Sequence, residues 1–303
     1  MMNRIVVTGS TSMIGVALIE ECIKHGVEVL AFTRKDSQNI SRLPNSNLIT
    51  IVDRDLEDID SYESNNKGYD AFYHFAWGYT DKARRMSSEL QYKNVRYSMD
   101  AINLAARLGC KKFIGAGSQA EYGIHVDEKT GPDSPCTPQT PYGICKYAAG
   151  KLCSVIAKQN GMDCFWVRIF SVYGKYDQPD SMISSTIAKL RAGEHCSFTP
   201  ATHKWDYLYS EDAGRAFYLI GEKARGNKMY CLGKGESKPL FEYIYTLKNF
   251  ISKKSSIGIG EIQYSDGVPV GFCADTTQIN QDTGWVAEYE FIDGIKKLLA
   301  NDK

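Results

Sequence analysis

Two clusters of residues in this chain have the types and spacing for chemistry. One is Tyr142-Gly-Ile-Cys-Lys146. On a helix, positions i and i+4 share a face, so the ammonium sits beside the phenol. A cation there favours phenolate and lowers the phenol's pKa toward a working value. The spacing recurs at Tyr147/Lys151 and Tyr230/Lys234, and context separates the three. Tyr147 falls five residues after Tyr142, about 140° further around one helix at ~3.6 residues per turn, so the two pairs cannot face one pocket. Tyr230/Lys234 runs into a glycine turn and reads as surface. Tyr142 alone follows a Thr140-Pro141 helix entrance and has a serine, Ser118, at the end of an upstream strand.

The other cluster is RIVVTGSTSMIG, residues 4–15. A β-branched run breaks into a glycine turn and then continues at helical spacing from Val16 to Ile23. A strand that opens a helix through such a turn aims free N–H groups and a positive dipole end at one point, which binds phosphate. Gly9, Thr11, Ser12, Met13, Ile14 and Gly15 are the candidate contacts. A regular Thr-Gly-x-x-Gly-x-x-Gly turn has glycine where this chain has Ser12. Its side chain crowds the approach to a pyrophosphate while its hydroxyl offers a donor, so the turn is expected to bind with slightly altered geometry.

The elements that must position these residues alternate. Strands read at Arg4–Thr8, Glu28–Thr33, Leu48–Val52, Ala71–Ala76, Phe113–Ala116 and Cys164–Phe170, with helices near Ser87–Arg107 and Tyr142–Gln159. Strands alternating with helices imply right-handed crossovers and an α/β, Rossmann-type, doubly wound parallel sheet. Their continuous apolar runs fit strands covered on both faces. Beyond Phe170 the alternation fails. A dinucleotide-binding domain is expected over 1–167, with 206–224 returning to it. A smaller, interleaved substrate-binding region is expected over 168–205 and 225–303, with Ser252–Gly260 as its mobile loop.

Bulk composition narrows the partners. Lysine plus arginine and aspartate plus glutamate stand at 36 each over 303 residues, so no global field recruits nucleic acid, and a small-molecule ligand fits. The nine cysteines form no C-x-x-C pair, which reads as free thiols in a reducing cytoplasm, with no disulfide framework and no metal site. No charged-then-apolar leader and no bilayer-length apolar run is present, so a soluble, cytoplasmic chain is expected.

In order and spacing, the motifs of the whole chain resemble the extended short-chain dehydrogenases/reductases of the nucleotide-sugar epimerase/dehydratase group. The resemblance rests on Thr8-Gly9…Gly15, Asp55-Leu56, His74-Phe75-Ala76, Asn94-Val95 and Gly117-Ser118-Gln-Ala-Glu-Tyr122-Gly123. It continues through Pro141-Tyr142…Lys146, Arg168-Ile-Phe-Ser-Val-Tyr173-Gly174, Trp205-Asp206-Tyr-Leu-Tyr209 and Asp275…Gly284-Trp285. It implies that Tyr142 is the acid/base on a sugar oxygen and that Lys146 lowers its pKa and holds the nicotinamide ribose. Ser118 would hydrogen-bond the same oxygen. Asp55, Leu56, Phe75, Ala76 and Asn94 would join the cofactor site, and a homodimer would form through helices near Asn94–Leu108 and Tyr142–Gln159, where Ala148, Leu152 and Val155 permit it.

Departures from the family pattern sharpen the expected reaction. Dehydratases carry Asp and Glu after the Ser/Thr position; here Gln119 and Ala120 stand there, and neither transfers a proton. Ala120 also replaces the cysteine base of 3,5-epimerising relatives, and Glu121, one step along the strand, should point away. NAD-specific members have an acidic residue at Thr33, whereas Thr33-Arg34-Lys35 suits the 2′-phosphate of NADP. On the substrate side, Ser171 replaces a usual asparagine, Lys204-Trp205 replaces an arginine, and no late arginine falls in Tyr264–Pro269. Gln119, Ser171, Arg168, Phe198, Lys204 and Trp205 are the candidate substrate contacts, with Lys189 and Arg191 as further cations for the diphosphate and Thr199 as a further lining residue of the base pocket. The expected activity is an NADP(H)-dependent C4 reductase of a nucleotide-activated 4-keto-6-deoxyhexose feeding polysaccharide synthesis. The alternatives are an NAD-dependent 4-epimerase and a non-catalytic dinucleotide sensor.

Overall fold

In the computed structural model, which describes residues 1–124, 129–252, 254–264 and 271–300, the apolar run Arg4–Thr8 forms strand β1 at the centre of the molecule. Helix α1 (Met13–Lys24) follows, then β2 (Glu28–Thr33), β3 (Ile49–Asp53), β4 (Ala71–His74), α2 (Ser88–Arg107), β5 (Lys112–Ser118), α3 (Pro141–Gln159) and β6 (Asp163–Ile169). The second half brings β7 (Ser171–Tyr173), α4 (Met182–Arg191), β8 (Cys196–Phe198), β9 (Lys204–Trp205), β10 (Tyr207–Tyr209) and α5 (Ser210–Lys223). It ends with β11 (Asn227–Leu232), β12 (Lys238–Pro239), α6 (Leu240–Ile251), β13 (Ile257–Ile259), α7 (Thr277–Thr283) and α8 (Phe291–Ala300).

Seven strands pair in parallel in the order β11-β6-β5-β4-β1-β2-β3. The chain runs outward from β1 to β3 and then returns to β4 on the other side. A crevice opens at that reversal, at the carboxyl ends of β1 and β4, where such folds bind ligands. One sheet face packs Ile5, Val7, Ala31, Tyr73 and Phe165 under α1 and α5, through Leu18, Ile19, Ala213 and Phe217. The other packs Val6, Leu30, Phe72, Phe113 and Trp166 under α2 and α3, through Ile102, Leu104, Ala149 and Cys153. Successive strand residues point to opposite faces, so apolar runs without alternation serve both layers.

Three sequence expectations change here. The strand Asn227–Leu232 belongs to the central sheet beside β6, so the smaller region does not begin at 225. Tyr230 is therefore buried, with its hydroxyl donating to Asp282 at 2.8 Å, and is not a surface residue. Within Ser252–Gly260, Ile257–Ile259 (β13) pairs in parallel with β8, so this end of the stretch is a paired strand where a loop was expected, while Lys253 lies outside the described residues; cross-strand hydrogen bonds decided the pairing, and these leave no local signature.

The smaller region has its own core of Tyr173, Ile183, Ile187, Leu190, Leu247 and Ile295. Its strands form three two-stranded pairs, β10-β7, β12-β9 and β13-β8. Buried carboxylates tie it to the sheet. Asp206 accepts from the backbone N–H of Lys234, Gly235 and Ala274, and Asp212 from those of Glu288 and Tyr289. Burial pushes Asp206 up to about 6 against the pull of its three N–H donors. Among the described residues no helix is long and apolar enough to cross a membrane.

Candidate active site

The glycine turn closes over the end of β4. Gly9 has φ of +66°, and a Cβ there would lie 2.6 Å from the amide nitrogen of Ala76. A Cβ on Gly15 would lie 2.3 Å from the Gly9 carbonyl oxygen. Both glycines are thus required by close backbone approach, as a dinucleotide turn demands. Ser12 is the N-cap of α1: its Oγ accepts from Gly15 N–H at 3.1 Å and its own N–H donates to Gly9 O at 3.0 Å. The Ser12 Oγ thus caps the helix through a lone pair, which leaves its O–H as a donor toward the crevice side of the turn. Thr11, Met13 and Ile14 are half-buried around the remaining helix start, and Arg42 Nη1 reaches Thr11 O at 3.4 Å. This cradle fits a dinucleotide.

At the ends of β2 and β3, Thr33 is buried and donates its hydroxyl to Asp53 at 3.0 Å. It is not a free donor for a 2′-phosphate, while Arg34 and Lys35 are exposed beside it. Asp55 is exposed at the start of the short turn Leu56–Ser61, and Leu56 packs into the core. Phe75 is buried against Phe217, so it lines the glycine turn with its backbone only. Asn94 is buried, and its side-chain amide both donates to and accepts from Gly78. It shapes the loop after β4.

Ser118, Tyr142 and Lys146 converge at the carboxyl end of β5. Thr140 caps α3 through Gly143 N–H at 3.1 Å, with Pro141 in the first turn. A Cβ on Gly143 would lie 2.3 Å from Ala120 O, so this glycine lets α3 start against the turn that follows Ser118. Ser118 ends β5 beside the start of α3, which carries Tyr142, and its Oγ accepts from Ala120 N–H at 3.2 Å. Lys146 is buried, donates from Nζ to Ala116 O at 2.7 Å, and lies 3.8 Å from the centroid of the Trp77 ring. Burial pulls it down to about 7. Burial likewise pushes the Tyr142 phenol up, and Arg85 and Ser118 pull it back.

Glu121 does not continue a strand. It ends the one-turn helix Gln119–Glu121 and turns into the core. Its Oε1 accepts from Ser118 N–H at 2.8 Å and Trp166 Nε1 at 2.9 Å, and its Oε2 from Arg168 Nε at 2.9 Å. Arg168 is 1 % exposed, stacks on Tyr122 and donates to Pro132 O. This corrects its assignment to a diphosphate: its guanidinium neutralises Glu121, and baring it would leave a buried carboxylate uncompensated. Of the other substrate candidates, Gln119 directly follows Ser118 in the turn beside α3, whereas Ser171 opens β7 and Phe198 packs on the smaller core. Lys204 is exposed, and Trp205 packs edge-on to Phe272. Lys189 and Arg191 lie in the last turn of α4. Of Tyr264–Pro269, all but Tyr264 lie outside the described residues. Sequence reasoning missed Trp77, Arg85 and Gln91, which carry no motif and reach the site only through the loop after β4.

Comparisons with known proteins agree with this architecture. The model for the NAD dependent epimerase/dehydratase family matches residues 5–233. A CDP-abequose synthase of Salmonella muenchen is 27% identical over 98% of this chain and 97% of its own. A dTDP-4-dehydro-6-deoxyglucose reductase of Escherichia coli is 22% identical, covering 98% and 96%. The crystal structure of a UDP-glucose 4-epimerase of Thermotoga maritima with UDP-glucose superposes with a TM-score of 0.85 at 20% identity, over 98% and 97% of the two chains, and shares the fold. The chain belongs to the NAD dependent epimerase/dehydratase family and is an enzyme of its nucleotide-sugar chemistry.

Proposed function

We propose that this enzyme is an NADP(H)-dependent reductase of a nucleotide-activated 4-keto-6-deoxyhexose, acting at C4. The observation that carries the reading is Tyr142 at the start of α3, with Lys146 Nζ 6.0 Å from its ring centroid and Ser118 at the adjoining end of β5, next to Gln119 and Ala120, which cannot serve as the acid and base of a dehydration. The names of the two sequence relatives above, a CDP-abequose synthase and a deoxysugar reductase, support it. When bound, the nicotinamide supplies the hydride to C4. Ser118 donates a hydrogen bond to the keto oxygen, and Tyr142 delivers the proton to it as the oxygen gains charge. Lys146, held by Ala116 O, would meet the nicotinamide ribose. The exposed Arg34 and Lys35 would meet a 2′-phosphate, and Gln119, Ser171, Phe198, Lys204 and Trp205 the nucleotide-sugar. Free thiols at all nine cysteines support a reducing, cytoplasmic setting.

A second reading, an NAD-dependent 4-epimerase, shares the same three residues and is favoured by Asp53, whose carboxylate lies beside Thr33 at the ends of β2 and β3 and would accept from ribose hydroxyls. The purified protein separates them. Protein that emerges from gel filtration without cofactor, binds NADPH more tightly than NADH and oxidises it with dTDP-4-dehydro-6-deoxyglucose or its CDP counterpart is the reductase. NAD retained through gel filtration, with no net oxidation of NADPH, identifies the epimerase. We further propose a homodimer through α2 and α3, since Tyr92, Leu152 and Val155 are exposed apolar residues on these helices. Light scattering giving a monomer mass at micromolar concentration would refute it.

A further inference from the structure

The loop leaving β4 brings a side chain to the site that the reaction above does not use. Arg85, on the short turn Arg84–Met86, places its guanidinium carbon 4.6 Å from the centroid of the Tyr142 ring. Trp77 meets the same ring edge-on at 6.1 Å. A fully buried glutamine fixes the backbone from which Arg85 reaches. Gln91 Oε1 accepts from Trp77 Nε1 at 2.9 Å, and Gln91 Nε2 donates to Tyr79 O at 2.9 Å and Arg84 O at 3.1 Å. Asn94 adds its pair of bonds to Gly78. Every amide hydrogen bond these two side chains make here goes to one loop, and that loop ends at Arg85.

The charged and titratable groups facing the phenol come from three places. Arg85 comes from this turn, Ser118 and Glu121 from the end of β5 and the turn after it, and Lys146 from α3 itself. Lys146 is the more distant cation, with Nζ 6.0 Å from the ring centroid and committed to Ala116 O beneath Trp77. Its charge is also the less secure, since burial lowers its pKa, whereas a guanidinium remains protonated throughout the working range.

We propose that Arg85 is a positioning residue of the active site: it holds the negative charge left on Tyr142 once the phenol has given its proton to the substrate oxygen. This rests on the reading of Tyr142 as the acid/base. Opposite charge within about 4–6 Å favours the ionised form by 1–3 pK units, and exposure of Arg85 to solvent places its effect at the low end, about ten-fold in the protonation constant.

The test is a ¹⁹F NMR titration of the full-length, cofactor-free protein carrying 3-fluorotyrosine at position 142, in the otherwise unchanged chain and in Arg85→Gln and Arg85→Lys. The expected result is a midpoint about ten-fold higher in proton affinity in Arg85→Gln, largely restored by Arg85→Lys. An unchanged midpoint in Arg85→Gln, with native circular dichroism, overturns the proposal. Turnover of NADPH with dTDP-4-dehydro-6-deoxyglucose supplies a second readout. The pH profile of kcat should shift in the same sense with KM for the sugar nucleotide held; a raised KM with an unmoved profile makes Arg85 a substrate contact and overturns the proposal. Tyr142→Phe retaining its turnover would instead remove the acid/base reading, an outcome the ¹⁹F midpoint does not depend on.

Discussion

At the β1 end of the crevice, what the seven-stranded sheet offers is largely main chain: the N–H groups at the start of α1 and the backbone of Phe75 and Ala76 packed on Gly9. In the smaller region, what is available is side chain, carried by three separate two-stranded pairs assembled from segments far apart in the chain. A main-chain site tolerates sequence change wherever its turn geometry survives, and so one cradle serves a whole family. A side-chain site changes its ligand with each substitution. The proposed substrate contacts Ser171, Phe198, Lys204 and Trp205 belong to this region with the least regular structure.

The most forceful way to break that contrast is at Tyr142, the proposed acid/base on α3. Tyr142→Phe should lower kcat by about 10²–10⁴-fold while leaving NAD(P)H binding within a few-fold, as cofactor fluorescence titration would show. A change in cofactor affinity as large as the change in kcat would mean that the main-chain cradle leans on this side chain.

Next in size is acid stability, which probes the sheet half alone. His74 is fully enclosed between Thr8 Oγ1 at 2.8 Å and Ser98 Oγ at 3.3 Å, and burial pulls it down to about 3. Between that value and its unfolded value near 6.5, the unfolded chain binds the extra proton and the native one does not. Stability is therefore complete above the unfolded value and is lost as pH falls. By pH 4.5 this single group should cost about 3 kcal/mol, and the denaturant midpoint of His74→Asn should fall less steeply with acid than that of the native chain.

Gly9→Ala tests the cradle with a smaller cost. The added Cβ meets the Ala76 amide, and the positive φ is itself strained, so a loss of about 2 kcal/mol is expected. Thermal unfolding would register it together with weakened binding of both NADH and NADPH. Smallest is Lys204→Ala in the substrate region. An exposed side chain there should leave stability within about 0.5 kcal/mol, and loss of one contact to an anionic ligand should raise KM for the sugar nucleotide about five-fold. A stability effect exceeding the KM effect would erase the distinction between the two regions.

Legibility in the sequence followed the same line. The strand–turn–helix at Arg4–Ile23 and the helix entrance at Thr140-Pro141 were readable, because periodicity, caps and glycines act over a few residues. Glu121 and Tyr230 were not. Glu121 was expected on a strand pointing away, yet the turn after Ser118 swings it onto Arg168, and an ion pair across that distance has no local sign. Tyr230 was expected on the surface because a glycine turn follows it, and sheet pairing with β6 overrode that cue.

The sequence by itself determined the parallel sheet, the glycine turn before α1 and the helix that carries Tyr142 and Lys146, since each is set by backbone propensity and short-range spacing. Tertiary structure alone decided which groups serve those elements: Ser12 caps a helix, Thr33 bonds to Asp53, Arg168 is spent on Glu121, and Arg85 lies over the phenol. Charges and hydrogen-bonding groups take whatever partner packing brings within a few ångströms, and that is settled by contacts between distant segments, which no local pattern records.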